Sequence, residues 1–244
     1  MNKNVNAWLT FPVFLIIITL HLPLQMKGAI KQDQLQTKTV SVTPFRELKV
    51  VGNRNTEVIL HIKDEYRIVI TTERSKKINV ENSKSVLLVS SIGIDSAKFV
   101  KIDIYAPSYG IISSSFVRLM SSQNIIADTL SITANETDLD LSLNTNVLNL
   151  EWNGGKQAVL GGVCQNANFT CRGFNNGLFS SFDAEQLAVR NLHIACGILN
   201  DIKINVSDSL WLVGGVDSKI SIKGFPLILQ NDLKDCELKM NESF

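Results

Sequence analysis

From Leu130 onward the chain repeats a short alternating strand at intervals of 18, 19, 25 and 18 residues. The copies are Leu130-Ser131-Ile132, Leu148-Asn149-Leu150, Ala167-Asn168-Phe169, Leu192-His193-Ile194 and Leu210-Trp211-Leu212. Each is followed by a second strand: Leu139-Asp140-Leu141, Ala158-Val159-Leu160, Leu178-Phe179, Ile202-Lys203-Ile204 and Ile220-Ser221-Ile222. Between the two lies a Gly- or Asn-centred turn, at Asn135, Asn153-Gly154-Gly155, Gly173 to Gly177, Gly197 and Gly214-Gly215. A strand–turn–strand unit of this size cannot bury both its faces alone, so successive units stack. Stacking lines up the inward Leu, Ile and Val side chains and pairs each backbone with the rungs above and below. The fold class this predicts is all-β: right-handed parallel β-helix-like rungs over residues 108–226. An antiparallel sandwich with hairpins of similar length is the competing architecture.

Upstream, residues 40–107 also read as strands. Phe45 to Val51, Thr56 to Ile62, Tyr66 to Thr72, Ile78 to Glu81, Ser85 to Val89 and Phe99 to Tyr105 are β-branched runs separated by polar turns. An open stack end invites edge-to-edge aggregation, so these strands are expected to cap one end. The best helical candidate, Asp183 to Val189, is only about two turns long and would not persist alone. With 45% apolar residues the chain has material for a core, and a net charge of +1 excludes the basic surplus of a dedicated nucleic-acid binder.

Residues 1–29 read as a secretory signal: Lys3 precedes an apolar run, Ala7 to Leu24, whose most continuous part, Val13 to Leu20, is flanked by Pro12 and Pro23. A membrane anchor would need about 20 apolar residues. Export to the periplasm, cell surface or medium is therefore expected, with residues 30–39 as a polar linker and 227–244 as a polar tail. No membrane span is expected after cleavage. Removal of residues 1–29 leaves 22 basic against 23 acidic residues, so net charge does not choose the partner. Cys164, Cys171, Cys196 and Cys236 all lie beyond the signal, and four cysteines in an exported chain permit up to two disulfides with three connectivities. They equally suit buried thiols. Their spacing is not that of zinc ligands, so no metal is expected, and no cofactor fingerprint occurs.

The opening Pro44-Phe45-Arg46-Glu47-Leu48-Lys49-Val50-Val51-Gly52, the strand Val100-Lys101-Ile102-Asp103-Ile104-Tyr105-Ala106-Pro107, the series of glycine turns and the closing Ile220-Ser221-Ile222-Lys223-Gly224-Phe225-Pro226 resemble a bacterial family described as putative auto-transporter adhesin, head GIN domain. The resemblance runs from about residue 44 to 226 and implies an all-β domain with stacked rungs and an adhesin-like role. The chain departs from the family's Gly-Ser-Gly-Asp-like turns, keeping the glycines better than the acids. That pattern follows from a need for positive φ at the turn rather than for a shared ligand.

Asp138 and Asp140 fall at i,i+2, so a strand sets both carboxylates on one face, suited to a cation or a sugar. Alternation with inward Leu139 and Leu141 explains the same pair as a solvated face. Trp152 and Trp211 adjoin glycine turns, which makes each ring a candidate sugar platform or a core plug. Neither His61 nor His193 has a neighbouring cue that makes it a base. The expectation is an exported, non-enzymatic envelope protein that binds a glycan or another envelope protein, with Trp152, Trp211, Asp138 and Asp140 as candidate ligand contacts. Two alternatives stand beside it. One is a β-helix polysaccharide-active enzyme using Asp138, Asp140 and a basic residue such as Lys156 or Arg172; the other is a periplasmic structural or stress-related partner protein.

Overall fold

The structure is a computed structural model that describes residues 35–73, 78–94, 98–173, 180–198, 201–216 and 218–241. The signal segment, and the second strand expected at Leu178-Phe179, lie outside the described residues. Among those residues there are seventeen strands and no helix. The Asp183 to Val189 stretch lies within a strand, β13 (Ser181–Ile198), because its neighbours on both sides supply ladder partners that a two-turn helix would lack.

The repeat forms the predicted parallel stack. β10 (Ile125–Asn135), β11 (Asp138–Asn153), β12 (Gln157–Arg172), β13 and β14 (Asp201–Val216) pair in parallel, one after the next. Leu130, Leu148, Ala167, Leu192 and Leu210 are ladder partners in that order, so the intervals read from the sequence are the rung lengths. The longer third interval is set before β13 begins: Gln157 already pairs with Ser181, because eight residues connect β12 to β13 where three connect β11 to β12. The sequence pattern divides each rung into two strands with a turn between them, but only the glycine corner breaks the strand. At the other corner the chain bends inside one continuous strand, as at Asn146 of β11, which the ladder skips. Three residues before the equivalent Gln165 of β12, Gly162 has φ +108°, and a Cβ there would sit 1.9 Å from the Leu143 carbonyl oxygen, so glycine is what lets the two rungs approach.

The N-terminal strands do more than cap. β2 (Glu47–Val51) and β3 (Thr56–Ile62) form a rung of the same stack, and β6 (Val86–Ser90) with β7 (Val100–Ala106) form another. β8 (Ile111–Ser115) and β9 (Arg118–Ser121) then stack on the opposite side of β2 and β3 and lead into β10 and β11. The rung laid down first is therefore sandwiched between two made later. Capping proper falls to antiparallel strands: β4 (Arg67–Thr72) pairs with β7, β1 (Gln36–Ser41) with β4, and β5 (Asn79–Ser83) with β6. Part of the expected linker is thus strand.

At the far end β15 (Lys219–Lys223) and then β16 (Leu227–Lys234) and β17 (Glu237–Asn241) extend the parallel register. Residues expected as a tail are a further rung, because Leu238 falls in the column of Ile220 and Ile222 faces Met240. Two columns run through the interior. One is Leu87, Leu48, Ile112, Ile132, Leu150, Phe169, Ile194 and Leu212; the other is Ile102, Val58, Leu119, Leu139, Ala158, Phe182, Ile202 and Ile220. All sixteen side chains are buried, each large one contributing about 1.5–3 kcal/mol of transfer free energy.

Candidate functional site

The glycine corners stack into a ladder of turns. Gly52 N–H donates to the Ser115 carbonyl at 2.9 Å, Phe116 to Asn135 at 3.1 Å, Glu136 to Asn153 at 2.9 Å and Gly154 to Arg172 at 2.7 Å. Three of these successive turns use the left-handed region, with φ of 59° at Phe116, 45° at Glu136 and 78° at Gly154. Only the last is a glycine. A bulky aromatic held there costs about 1–3 kcal/mol and persists only where its surroundings determine it.

Phe116 is 40% exposed and lies at a cavity of about 100 Å³ lined also by Arg54, Arg118, Glu136, Asp138 and Lys156. The ladder explains the convergence, since each charged residue sits in or beside a turn stacked on the next. The polar contacts are of two kinds. Asp138 is fixed: its Oδ1 accepts from the backbone N–H of Lys156 at 2.6 Å and of Gln157 at 3.4 Å, tying β11 to the following turn. The basic groups are held loosely, with Arg54 to Glu136 at 4.0 Å, Arg118 to Glu57 at 3.8 Å and Arg118 to Asp140 at 3.8 Å. Those separations exceed the roughly 2.7–2.9 Å of a strong charged hydrogen bond, so the guanidinium donors remain available to a ligand. Three cations against the carboxylates of Glu57, Glu136, Asp138 and Asp140 leave the corner near charge balance.

The structure brings together Asp138, Asp140 and Lys156, three residues singled out in the sequence, and adds Arg54, Phe116 and Arg118. Phe116 is nearly silent in the sequence; its one signal is an aromatic at a turn position after three serines. Trp152 is not a surface ring. It is fully buried, donates through Nε1 to the Thr137 carbonyl at 2.8 Å and packs near Phe182, 6.1 Å between ring centroids. The glycine turn beside it makes room for the indole: Gly155 has φ +135°, and a Cβ there would lie 2.4 Å from the Thr137 carbonyl oxygen.

Trp211 lies elsewhere, half-buried on the outward row Ser131, Asn149, Asn168, His193, Trp211 and Gln230. Along that row Asn168 Nδ2 donates to Asn149 Oδ1 at 2.9 Å, an amide ladder of the kind parallel in-register strands produce. His61 is engaged at the other end of the molecule, its Nε2 2.8 Å from Asp103 Oδ1 and its ring stacked 4.4 Å from Tyr105, which fastens β3 to β7. The four cysteines are thiols. Cys171 and Cys196 are register partners on β12 and β13, and burial raises both thiols, that of Cys196 to about 12. Among the described residues no cluster of His, Cys, Asp and Glu could hold a metal ion.

The family model described as putative auto-transporter adhesin, head GIN domain, matches residues 44–226. The chain belongs to that family. Several solved structures share the fold. An adhesin so described from Bacteroides fragilis superposes with a TM-score of 0.69 at 19% identity, over 85% of this chain and 96% of that one. One from Parabacteroides merdae gives 0.61 at 18% identity, over 86% and 98%. A Parabacteroides distasonis protein described as a putative lipid binding protein gives 0.59 at 11% identity, over 86% and 98%. At these identities the likeness is one of fold. No curated protein matches the chain. The head GIN assignment makes the chain adhesin-like, and no helix among the described residues is long and apolar enough to cross a membrane.

Proposed function

We propose that this chain is an exported, non-enzymatic envelope protein that binds a glycan at the corner around Phe116. The observation that carries the reading is the strained, exposed aromatic at the edge of a charge-balanced cavity. A sugar ring offers an apolar face to the phenyl group and hydroxyls to the loosely held guanidinium groups of Arg54 and Arg118, to Lys156 and to Glu136. A cavity of about 100 Å³ accepts one edge of a sugar rather than enclosing a substrate, which suits recognition of a repetitive polymer at a surface. Charge balance favours a neutral glycan. The occupied Oδ1 of Asp138 argues for binding over acid–base chemistry, because a carboxylate oxygen committed to two backbone amides is poorly placed to exchange protons with a substrate.

The test is a glycan array probed with the exported chain, with Phe116→Ala and with Trp211→Ala. Saturable binding lost in Phe116→Ala and retained in Trp211→Ala is expected. Binding that depends on Trp211 alone would move the site to the amide row, and silence across a broad panel would end the glycan reading. Labelling of intact host cells with impermeant biotin tests the location: protection until the outer membrane is broken would contradict an adhesive role.

A further inference from the structure

Among the described residues no strand pairs with the outer edges of β16 and β17, and apolar groups lie exposed along them. In β16 and the turn before it Phe225, Leu227, Ile228 and Leu229 are 68, 65, 36 and 48% exposed, and in β17 Met240 is 42% exposed. Ile228 and Leu238 continue the interior columns of Leu210 and Ile220, so the end of the stack is a cut through the core rather than a finished surface. Both strands also present unpaired backbone edges, which template further pairing.

The charges on these two strands choose the partner. β16 carries Asp232-Leu233-Lys234 and β17 carries Glu237-Leu238-Lys239, the same acid–leucine–lysine triplet on each. In the single chain Lys239 Nζ lies 3.0 Å from Glu237 Oε1, and this neighbour holds the carboxyl below its usual range. Antiparallel pairing of β17 with a second β17, centred on Leu238, sets each Glu237 opposite the other copy's Lys239. The same operation on β16, centred on Leu233, matches Asp232 with Lys234. An edge of one sign would repel its own copy, whereas opposite charges directly across antiparallel strands attract. A two-fold arrangement then closes, pairing the two triplets of each copy with those of the other.

We propose that the C-terminal rung is a self-association surface, on which a second copy of this chain docks end to end through β16 and β17. Leu233 and Leu238 of each copy meet their counterparts at the centre of the junction. The dimer turns both closed N-terminal ends outward and doubles the number of Phe116 corners on one particle.

Analytical ultracentrifugation of the exported chain across a dilution series tests the proposal. A reversible monomer–dimer equilibrium is expected, weakened about tenfold or more by Asp232→Lys with Glu237→Lys and restored when Lys234→Asp and Lys239→Glu are added to the same chain. Recovery by the fourfold exchange is a result that simple loss of folding cannot produce, and circular dichroism of each variant checks the strand content. A monomer at all concentrations up to about 1 mM, a dimer indifferent to these substitutions, or open-ended polymers would each overturn the proposal.

Discussion

At the N-terminal end of the stack β4 and β5 turn antiparallel onto the outermost parallel strands and β1 adds a polar outer strand, whereas at the C-terminal end β16 and β17 simply continue the parallel register. Reversing strand direction ends the repeat, since an antiparallel strand does not offer the slanted hydrogen-bond spacing that the next parallel rung requires. β1 reads Gln-Thr-Lys-Thr-Val-Ser and its side chains are mostly exposed, so that edge has little apolar surface to offer. The other end exposes Phe225, Leu227 and Leu229 instead. One end is thus built to stop and the other to be met.

Substitutions sharpen the contrast in proportion to how completely each site is covered. The largest effect is expected at Trp152, deep in the stack, where Trp152→Ala should cost about 4 kcal/mol by leaving a cavity and an unpartnered Thr137 carbonyl. Trp211→Ala, on the outward row, should cost about 1 kcal/mol in the same denaturant titration. Next comes a matched pair from the two ends. Ile70, fully buried on β4 between β1 and β7, should lose about 3 kcal/mol on truncation to Ala, while Met240→Ala in dilute solution should lose about 0.5 kcal/mol. Equal losses at these two positions would erase the distinction between the ends.

Thiol chemistry supplies a third, pH-dependent comparison. Burial raises the Cys171 and Cys196 thiols in the folded chain, so above about pH 9 the unfolded chain releases protons that the folded chain retains. The stability they contribute is full below pH 9 and falls by about 1.4 kcal/mol per pH unit per thiol as pH climbs toward about 12, where Cys196 itself ionises. Equilibrium unfolding between pH 8 and 10.5 measures it; a flat profile would mean these thiols are not buried as described. Iodoacetamide at pH 8 should label Cys236, at the half-buried last turn, and spare Cys171. A small effect of opposite sign is expected at the corner. Phe116→Gly should stabilise the fold by about 1 kcal/mol by relieving the left-handed backbone, while abolishing glycan binding.

The sequence made the repeating half of this fold legible because rung length is written as a spacing between leucines, and Leu130, Leu148, Ala167, Leu192 and Leu210 do stand above one another. It could not reveal the order of the N-terminal rungs. β2 and β3 carry the same alternation whether they cap the stack or lie within it, and only the long-range pairing with both β6–β7 and β8–β9 decides. The tail was misleading for a related reason: a terminal rung is half solvated, so β16 beyond Leu229 and β17 look polar although both pair in parallel with the rung below. At the candidate site Asp138 and Lys156 were visible as residues near glycine turns. Arg54 and Phe116 were not, since they come from turns 62 residues apart in sequence that meet only through the ladder.

Hydrogen–deuterium exchange, followed residue by residue at two protein concentrations, tests the difference between the ends most directly. Amides of β7, covered by both β3 and β4, should exchange slowly at either concentration. Amides of β16 and β17 should exchange rapidly in the dilute sample and become protected in the concentrated one. Fast exchange in β7, or strong protection of β17 in the dilute monomer, would contradict a stack that is closed at one end and open at the other.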